Sequence, residues 1–385
     1  MKRILLITAS QYPGNNAMYV RHHALAKLFV KCGWDVLVLT RGAQKSRVIL
    51  DNDGVKYFSV SGRVGGRIGK ALDYLVYAPR YINKIIEKEC FDAVLLASSS
   101  NGVLRLLKKK AKNNRILLLH DSVEWYSPEQ FSRGEKAWEY RKKTYWMTKG
   151  INEDFSVIAI SRFLHNYFRE KGIKVCRIPA ILDVVNTPCA KKTNPAKTVV
   201  TYAGTPGKKD YLSRVVDGFI SVSDEGFHDF EFRIIGINES QLIAECGVTK
   251  ASLERLSGLL NCKGRLSREE VLKELSESDF TILLRDENLR YAKAGFPTKV
   301  VESMATGTPV ICNLTSDLAM YIRDMANGIV VESCSSEHIA GAIKRALLLN
   351  SSEKAMMSTQ ARISALESFD YRQYCDTLSE FLREN

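Results

Sequence analysis

Nowhere does the sequence hold a run of about 18 consecutive apolar residues, so no segment reads as a bilayer-spanning helix. The opening MKRILLITAS has a basic start but only a short apolar stretch before Gln11 and Pro13, too brief for the core of a secretory signal. The nine cysteines are odd in number, form no C-x-x-C and have no histidine at zinc-finger spacing, which removes the usual support for a zinc module or a disulfide framework. Most sit in apolar runs and read as small buried hydrophobes of a reducing compartment. No fixed-period repeat or low-complexity tract appears, which excludes solenoids, collagen-like chains and disordered segments. A folded, cytoplasmic protein is the expectation.

What is present fits that class. The chain has 385 residues, 45% hydrophobic and 26% charged, enough for two α/β domains with separate cores. Net charge is +13 and unevenly placed: residues 1–180 carry 32 basic and 15 acidic side chains, net +17, while the remainder carries 24 and 28, net −4. The positive field implies an anionic partner for the first half: a phosphate-bearing lipid, a membrane surface or nucleic acid. Nucleic acid fits least, because no known binding motif appears and the aromatics form no stacking platform.

Apolar runs at Ile4–Thr8 and Val36–Leu39 flank a periodic stretch from Ala17 to Cys32, a βαβ pattern that predicts a parallel sheet. Runs at Ala93–Ala97, Arg115–Leu119, Val157–Ile160 and Val175–Ile178 extend it into a doubly wound first domain, residues 1–182. Residues 183–197, with Pro188, Pro195 and no sustained period, read as a linker. Strand patterns resume at Thr198–Ala203, Phe232–Ile235, Phe280–Leu284, Pro309–Cys312 and Gly328–Val331, giving a second α/β domain over 198–368. Tyr371, Tyr374, Leu378, Phe381 and Leu382 stand at helical spacing, so residues 369–385 predict a helix that crosses back to the first domain.

Two segments of the second domain carry nucleotide-binding chemistry. After a polar loop, Gly295-Phe296-Pro297-Thr298-Lys299-Val300-Val301-Glu302 leads into a helix closed by Gly307 and Pro309. A helix N-terminus at the carboxyl end of a strand offers N–H groups and partial positive charge to phosphate. Glu302, one turn on, has two oxygens for the two hydroxyls of a ribose. The competing reading is an exposed Glu302 paired with Lys299 at i,i+3. The other segment, Thr201-Tyr202-Ala203-Gly204-Thr205-Pro206-Gly207-Lys208-Lys209-Asp210, turns from a strand into two lysines that suit a leaving diphosphate. Its competing reading is a β-turn with solvated lysines.

The pattern G-x-x-x-K-K, then about 90 residues on G-F-P-x-K-x-x-E-x-M-A-x-G-x-P-V-I, resembles the second domain of family-4 glycosyltransferases. Tyr12-Pro13-Gly14 with His22, Gly33-Trp34-Asp35-Val36, Leu119-His120-Asp121 and Ala159-Ile160-Ser161-Arg162 resemble landmarks of that family's first domain, so the likeness spans the chain. The resemblance implies the GT-B fold, an α/β architecture of two Rossmann-like doubly wound domains facing across a cleft. It also implies a retaining, metal-independent transfer of a hexose from a nucleotide sugar such as a UDP- or GDP-sugar, with no other cofactor. By position, it assigns Lys208 or Lys209 to the diphosphate and Glu302 to the ribose. Gly204, Thr205 and Lys299, with the backbone of Gly295, Phe296, Pro297 and Thr298, are implied around the rest of the donor, His120 as a catalytic group, and Gly14, Asn15 and Asn16 as a phosphate or acceptor loop. The chain departs from the pattern in two places. Ala294 stands where the family often carries a Glu that contacts the donor sugar, and Thr205 where many members carry Arg; Arg285 is the candidate replacement cation.

Basic, aromatic-bearing stretches at 63–88 and 133–149 are candidate surfaces for an anionic membrane, set against the plainer reading of helices with a solvated polar face. Asp51-Asn52-Asp53-Gly54 contains a D-x-D, a form that elsewhere binds a metal–nucleotide complex, but Asp-Gly between two short apolar runs predicts a hairpin turn. The chain is therefore expected to extend a glycan, lipid-linked acceptor of bacterial surface polysaccharide synthesis, peripheral to the inner face of the membrane. A nucleotide-sugar epimerase of the same fold and a basic nucleic-acid-binding protein are the alternatives.

Overall fold

The computed structural model describes residues 1–40, 49–59, 72, 76, 78–114, 116–189, 197–205 and 210–384. The chain divides into two compact units. Met1–Trp125, Glu135–Leu182 and Tyr371–Asn385 form the first; Tyr126–Gly134 and Asp183–Asp370 form the second. Residues 126–134, which the sequence pattern leaves in the first domain, thus cluster with the second unit.

The first unit holds β1 (Arg3–Ile7), β2 (Asp35–Thr40), β3 (Leu50–Asn52), β4 (Val55–Ser59), β5 (Ala93–Leu96), β6 (Leu117–Ser122), β7 (Ser156–Ala159) and β8 (Val175–Arg177). They form one sheet, ordered β3-β4-β2-β1-β5-β6-β7-β8, parallel except for the β3–β4 hairpin. Its helices are α1 (Ala17–Lys31), α2 (Ala78–Lys88), α3 (Asn101–Asn114), α4 (Trp138–Tyr145) and α5 (Arg162–Glu170). α1 starts where Asn16 accepts the Tyr19 N–H at 2.8 Å, and it buries Ala24, Leu25, Leu28 and Phe29 against the sheet. At the hairpin, Asp53 and Gly54 both have positive φ, 54° and 76°, as the tight Asp-Gly turn requires, and Asp53 pairs with Lys27. The turn reading of that D-x-D holds. Arg63, Arg67 and Lys70 of the first basic stretch lie outside the described residues.

The second unit holds β9 (Thr198–Ala203), β10 (Phe230–Ile235), β11 (Leu260–Gly264), β12 (Phe280–Leu283), β13 (Val310–Cys312) and β14 (Gly328–Val330). The order is β11-β10-β9-β12-β13-β14, parallel throughout. Its helices are α6 (Leu212–Asp224), α7 (Glu239–Cys246), α8 (Lys250–Arg255), α9 (Arg268–Ser276), α10 (Arg290–Ala294), α11 (Thr298–Ala305), α12 (Ser336–Leu348) and α13 (Ser351–Ser368). The polar loop expected before Gly295 contains the short helix α10. The Phe219 ring of α6 stacks on Phe232 of β10 with centroids 4.3 Å apart. A full burial of this kind is worth about 1.5–3 kcal/mol per ring. Gly218 lets α6 approach α12, since a Cβ there would stand 2.6 Å from Ile339 Cγ2.

After a 3₁₀ turn at Tyr371–Tyr374, α14 (Cys375–Arg383) returns to the first unit. There Leu378, Phe381 and Leu382 join the core built on Leu6, Leu25, Phe29 and Val38. No helix of the described residues is long and apolar enough to cross a membrane.

Candidate functional site

In the second sheet the chain steps outward from β9 to β10 and β11, then returns to the other side of β9 at β12. That reversal opens a crevice at the carboxyl ends of β9 and β12, where ligands of open parallel sheets bind. Gly204 follows β9 with φ +139°, and a Cβ there would lie 2.3 Å from Lys299 Cε. Lys299 therefore passes over Gly204 and no larger residue fits between them. Its Nζ donates to Asp210 Oδ2 at 2.6 Å and to the Tyr202 hydroxyl at 2.7 Å. The Tyr202 hydroxyl donates to the same carboxylate oxygen at 2.7 Å, and Arg285 Nε reaches Asp210 Oδ1 at 3.4 Å.

Asn313, just past β13, fixes Arg285 from the backbone. It accepts the Arg285 N–H at 3.0 Å and donates to its carbonyl at 2.8 Å. Two cations thus share one carboxylate and leave a net positive charge. Burial alone would raise the Asp210 pKa, but Lys299 and then Arg285 offset it, and the carboxyl is held below its ordinary value. Burial lowers the Lys299 pKa, partly opposed by Asp210.

α11 begins beside this cluster. Pro297 is its N-cap and supplies no side-chain cap, so the first-turn N–H groups have no capping side chain. One turn on, Glu302 does not pair with Lys299, as the plainer reading held. Its Oε1 accepts from Arg268 Nη1 of α9 at 2.5 Å. Gly295 closes α10 and Thr298 opens α11. The Phe296 side chain is buried edge-on against Tyr321 and Phe369, with centroids 5.6 and 5.7 Å away, and is a packing residue. Ala294 is fully buried on α10. Thr205 is exposed, and Lys208 and Lys209 lie outside the described residues.

Gly204, Arg285, Lys299 and Glu302 are thus brought to one sheet edge. Tyr202, Asp210, Arg268 and Asn313 were not singled out from sequence. The only signal was a Tyr in a strand eight residues before an Asp, which acquires meaning once Lys299 is placed beside them.

The remaining candidates belong to the first unit. β6 extends beyond the apolar run that ends at Leu119, through His120 to Ser122, and the His120 ring is buried. Its Nδ1 lies 2.8 Å from the Leu96 carbonyl, so Nδ1–H donates and Nε2 keeps the lone pair. Burial lowers its pKa, more than that hydrogen bond raises it. The neighbouring Asp121 is consumed by Arg21, whose Nη2 lies 2.6 Å away and whose Nη1 donates to the Pro179 carbonyl. Asn16 is occupied as the α1 cap, accepting from Ser10 as well as Tyr19. Asn15 is exposed, and Gly14 is required because a Cβ would stand 2.5 Å from the Gln11 carbonyl oxygen. In the second basic stretch, α4 carries Trp138, 64% exposed, with Lys142 Nζ 5.8 Å from its ring centroid. Among the described residues, no group of three or more His, Cys, Asp or Glu side chains is placed to hold a metal ion.

Residues 189–363 match the family described as Glycosyl transferases group 1. No curated protein sequence matches the chain. Among solved structures, sucrose-phosphate synthase from Thermosynechococcus elongatus is similar at 14% identity with a TM-score of 0.75, over 100% of this chain and 99% of its own. Anabaena HepE in complex with UDP and glucose is similar at 15% identity and a TM-score of 0.68, with both chains covered in full. WaaG, a glycosyltransferase involved in lipopolysaccharide biosynthesis, is similar at 12% identity and a TM-score of 0.68, over 99% of this chain and 100% of its own. At these identities the likeness is one of fold, and that fold is GT-B.

Proposed function

We propose that this chain, a GT-B glycosyltransferase by its group 1 domain and its two sheet-bearing units, transfers a hexosyl group from a nucleoside diphosphate sugar to a hydroxyl of a glycan acceptor. The observation that carries the donor assignment is that Lys299, passing over Gly204, and Arg285 share the Asp210 carboxylate beside the start of α11 and one turn from Glu302. The sugar C1–O bond to the diphosphate breaks, a glycosidic bond to the acceptor oxygen forms with retention at C1, and the acceptor O–H proton passes to the departing diphosphate oxygen. Lys299, Arg285 and the α11 N–H groups stabilise the charge that develops on the departing diphosphate. Glu302 holds the ribose while Arg268 fixes its orientation. His120, neutral with Nε2 as acceptor, serves the acceptor side. No metal or other cofactor takes part.

UDP is the first nucleotide to test, because HepE is solved with UDP and with UDP-glucose. A lipid-linked acceptor of bacterial surface polysaccharide synthesis is supported by the basic first half, by the Trp138–Lys142 face of α4 and by the involvement of WaaG in lipopolysaccharide biosynthesis. On this reading the reaction runs in the cytoplasm, at the inner face of the membrane.

The test is turnover with a panel of nucleotide sugars and lipid-linked glycans. Nucleoside diphosphate release that requires acceptor supports the reading. Conversion of the sugar with no acceptor present contradicts it.

A further inference from the structure

Tyr202 and Asp210 lie beneath the switch-point cluster rather than on its surface. The Asp210 side chain is 4% exposed, against 27% for Lys299 and 15% for Arg285. Its two oxygens are divided between the cations: Oδ2 accepts from Lys299 and Tyr202, and Oδ1 from Arg285. Lys299 has little freedom about this anchor, because its Cε runs where a Cβ of Gly204 would stand and its ammonium lies 4.3 Å from the Tyr202 ring centroid.

Resting on the donor-site reading, we propose that Asp210, seated by the Tyr202 hydroxyl, is a positioning residue that keeps Lys299 charged and aimed at the donor diphosphate without itself touching the donor. A buried ammonium with no counter-charge gives up its proton, and a carboxylate in contact prevents that. The groups facing Lys299 are Asp210, Tyr202 and Arg285 from neighbouring elements and Glu302 from its own helix. Of these, Asp210 is the carboxylate in hydrogen-bond contact, while Glu302 is engaged by Arg268.

Asp210 has a second, opposite effect, since its negative charge repels an incoming diphosphate. The two effects separate with pH. While Lys299 is protonated regardless, an amide at this position still offers an oxygen that aims its ammonium, so the replacement removes repulsion and keeps the anchor. At higher pH the amide variant loses the Lys299 proton first, and the affinity for diphosphate with it.

The experiment is UDP binding by calorimetry for the wild type, Asp210→Asn and the double variant Asp210→Asn/Lys299→Arg, from about pH 6 to about pH 10. Asp210→Asn is expected to bind at the acid end at least as well as the wild type and to lose affinity at lower pH. The double variant, whose guanidinium keeps its proton throughout, is expected to lack that early loss. An Asp210→Asn profile that follows the wild type, or that is weaker by one constant factor at every pH, overturns the inference; the second outcome is the mark of a purely structural role. Should Asp210→Asn fail to fold, Tyr202→Phe gives the same comparison. Its loss of affinity is expected to move in the same direction and less far, and an unmoved profile overturns the inference. Wild-type binding with unmoved variant profiles overturns this inference alone. Failure of the wild type to bind any nucleoside diphosphate overturns it together with the donor-site reading.

Discussion

Arg268 Nη1 lies 2.5 Å from Oε1 of Glu302, an ion pair that joins the first turn of α9 to the middle of α11. The contact occupies one carboxylate oxygen and fixes the plane of the other, and it leaves Lys299, three residues away on the same helix, to pair with Asp210 instead. Glu302→Ala is therefore expected to lower kcat/KM roughly 10- to 100-fold, the range for losing a charged hydrogen-bonding group. Arg268→Ala is expected to act more weakly and chiefly through KM, because the carboxylate remains but loses its orientation. Steady-state kinetics on the two variants check both; a larger effect from Arg268→Ala than from Glu302→Ala contradicts the assigned order.

The close approach at Gly204 gives a second expectation. A side chain there meets Lys299 at 2.3 Å in a backbone region strained for non-glycine residues, and strain of that kind costs about 1–3 kcal/mol. Gly204→Ala should displace Lys299 and weaken nucleoside diphosphate binding while the second unit stays folded. Gly236→Ala should do the reverse. Its Cβ would meet the Gly204 carbonyl oxygen at 2.5 Å, a backbone atom with no side chain to swing aside, so the loss should appear in the thermal midpoint.

Much of this arrangement was legible in the sequence, and the parts that were not share a cause. β9 was read to its exact bounds from an apolar run between turn signals, and Lys299, Glu302 and Gly204 from motif chemistry. Asp210 and Tyr202 were not, because their importance depends on β9 and β12 being neighbours, which only the sheet order decides. Arg268 was missed for the same reason, 34 residues from its partner. β6 was read too short because its last three residues, His120, Asp121 and Ser122, are polar. Their burial is made tolerable by Leu96 and Arg21, partners that are distant in sequence. The motif implies the backbone of Phe296 at the donor, and the packing of its ring against Tyr321 and Phe369 is a separate feature that depends on residues distant in sequence.

Acid stability should follow His22. Burial lowers its pKa from 6.5 to about 4, with Asp121 pulling the other way and Arg21 reinforcing the drop. The unfolded chain therefore binds this proton first, so stability is complete above about pH 6.5 and falls as the pH drops toward 4. Burial of His120 acts in the same direction. Urea midpoints across that range are expected to decline with falling pH, and less steeply in His22→Gln.

Removal of residues 371–385 should destabilise the first unit. Leu378, Phe381 and Leu382 are each buried in its core, and each is worth about 1.5–3 kcal/mol as an upper bound. Two separated thermal transitions are expected in the truncated chain, with the second unit's transition retained. A single unchanged transition contradicts this role for α14.

The central claim is that the carboxyl edge of the second sheet binds a nucleoside diphosphate. Calorimetry with UDP, GDP and ADP on the wild type and on Lys299→Ala tests it most directly. Binding of one of the three, with UDP the expected one, and its loss in Lys299→Ala is the predicted result. No binding of any of the three, or equal affinity in the variant, contradicts the claim.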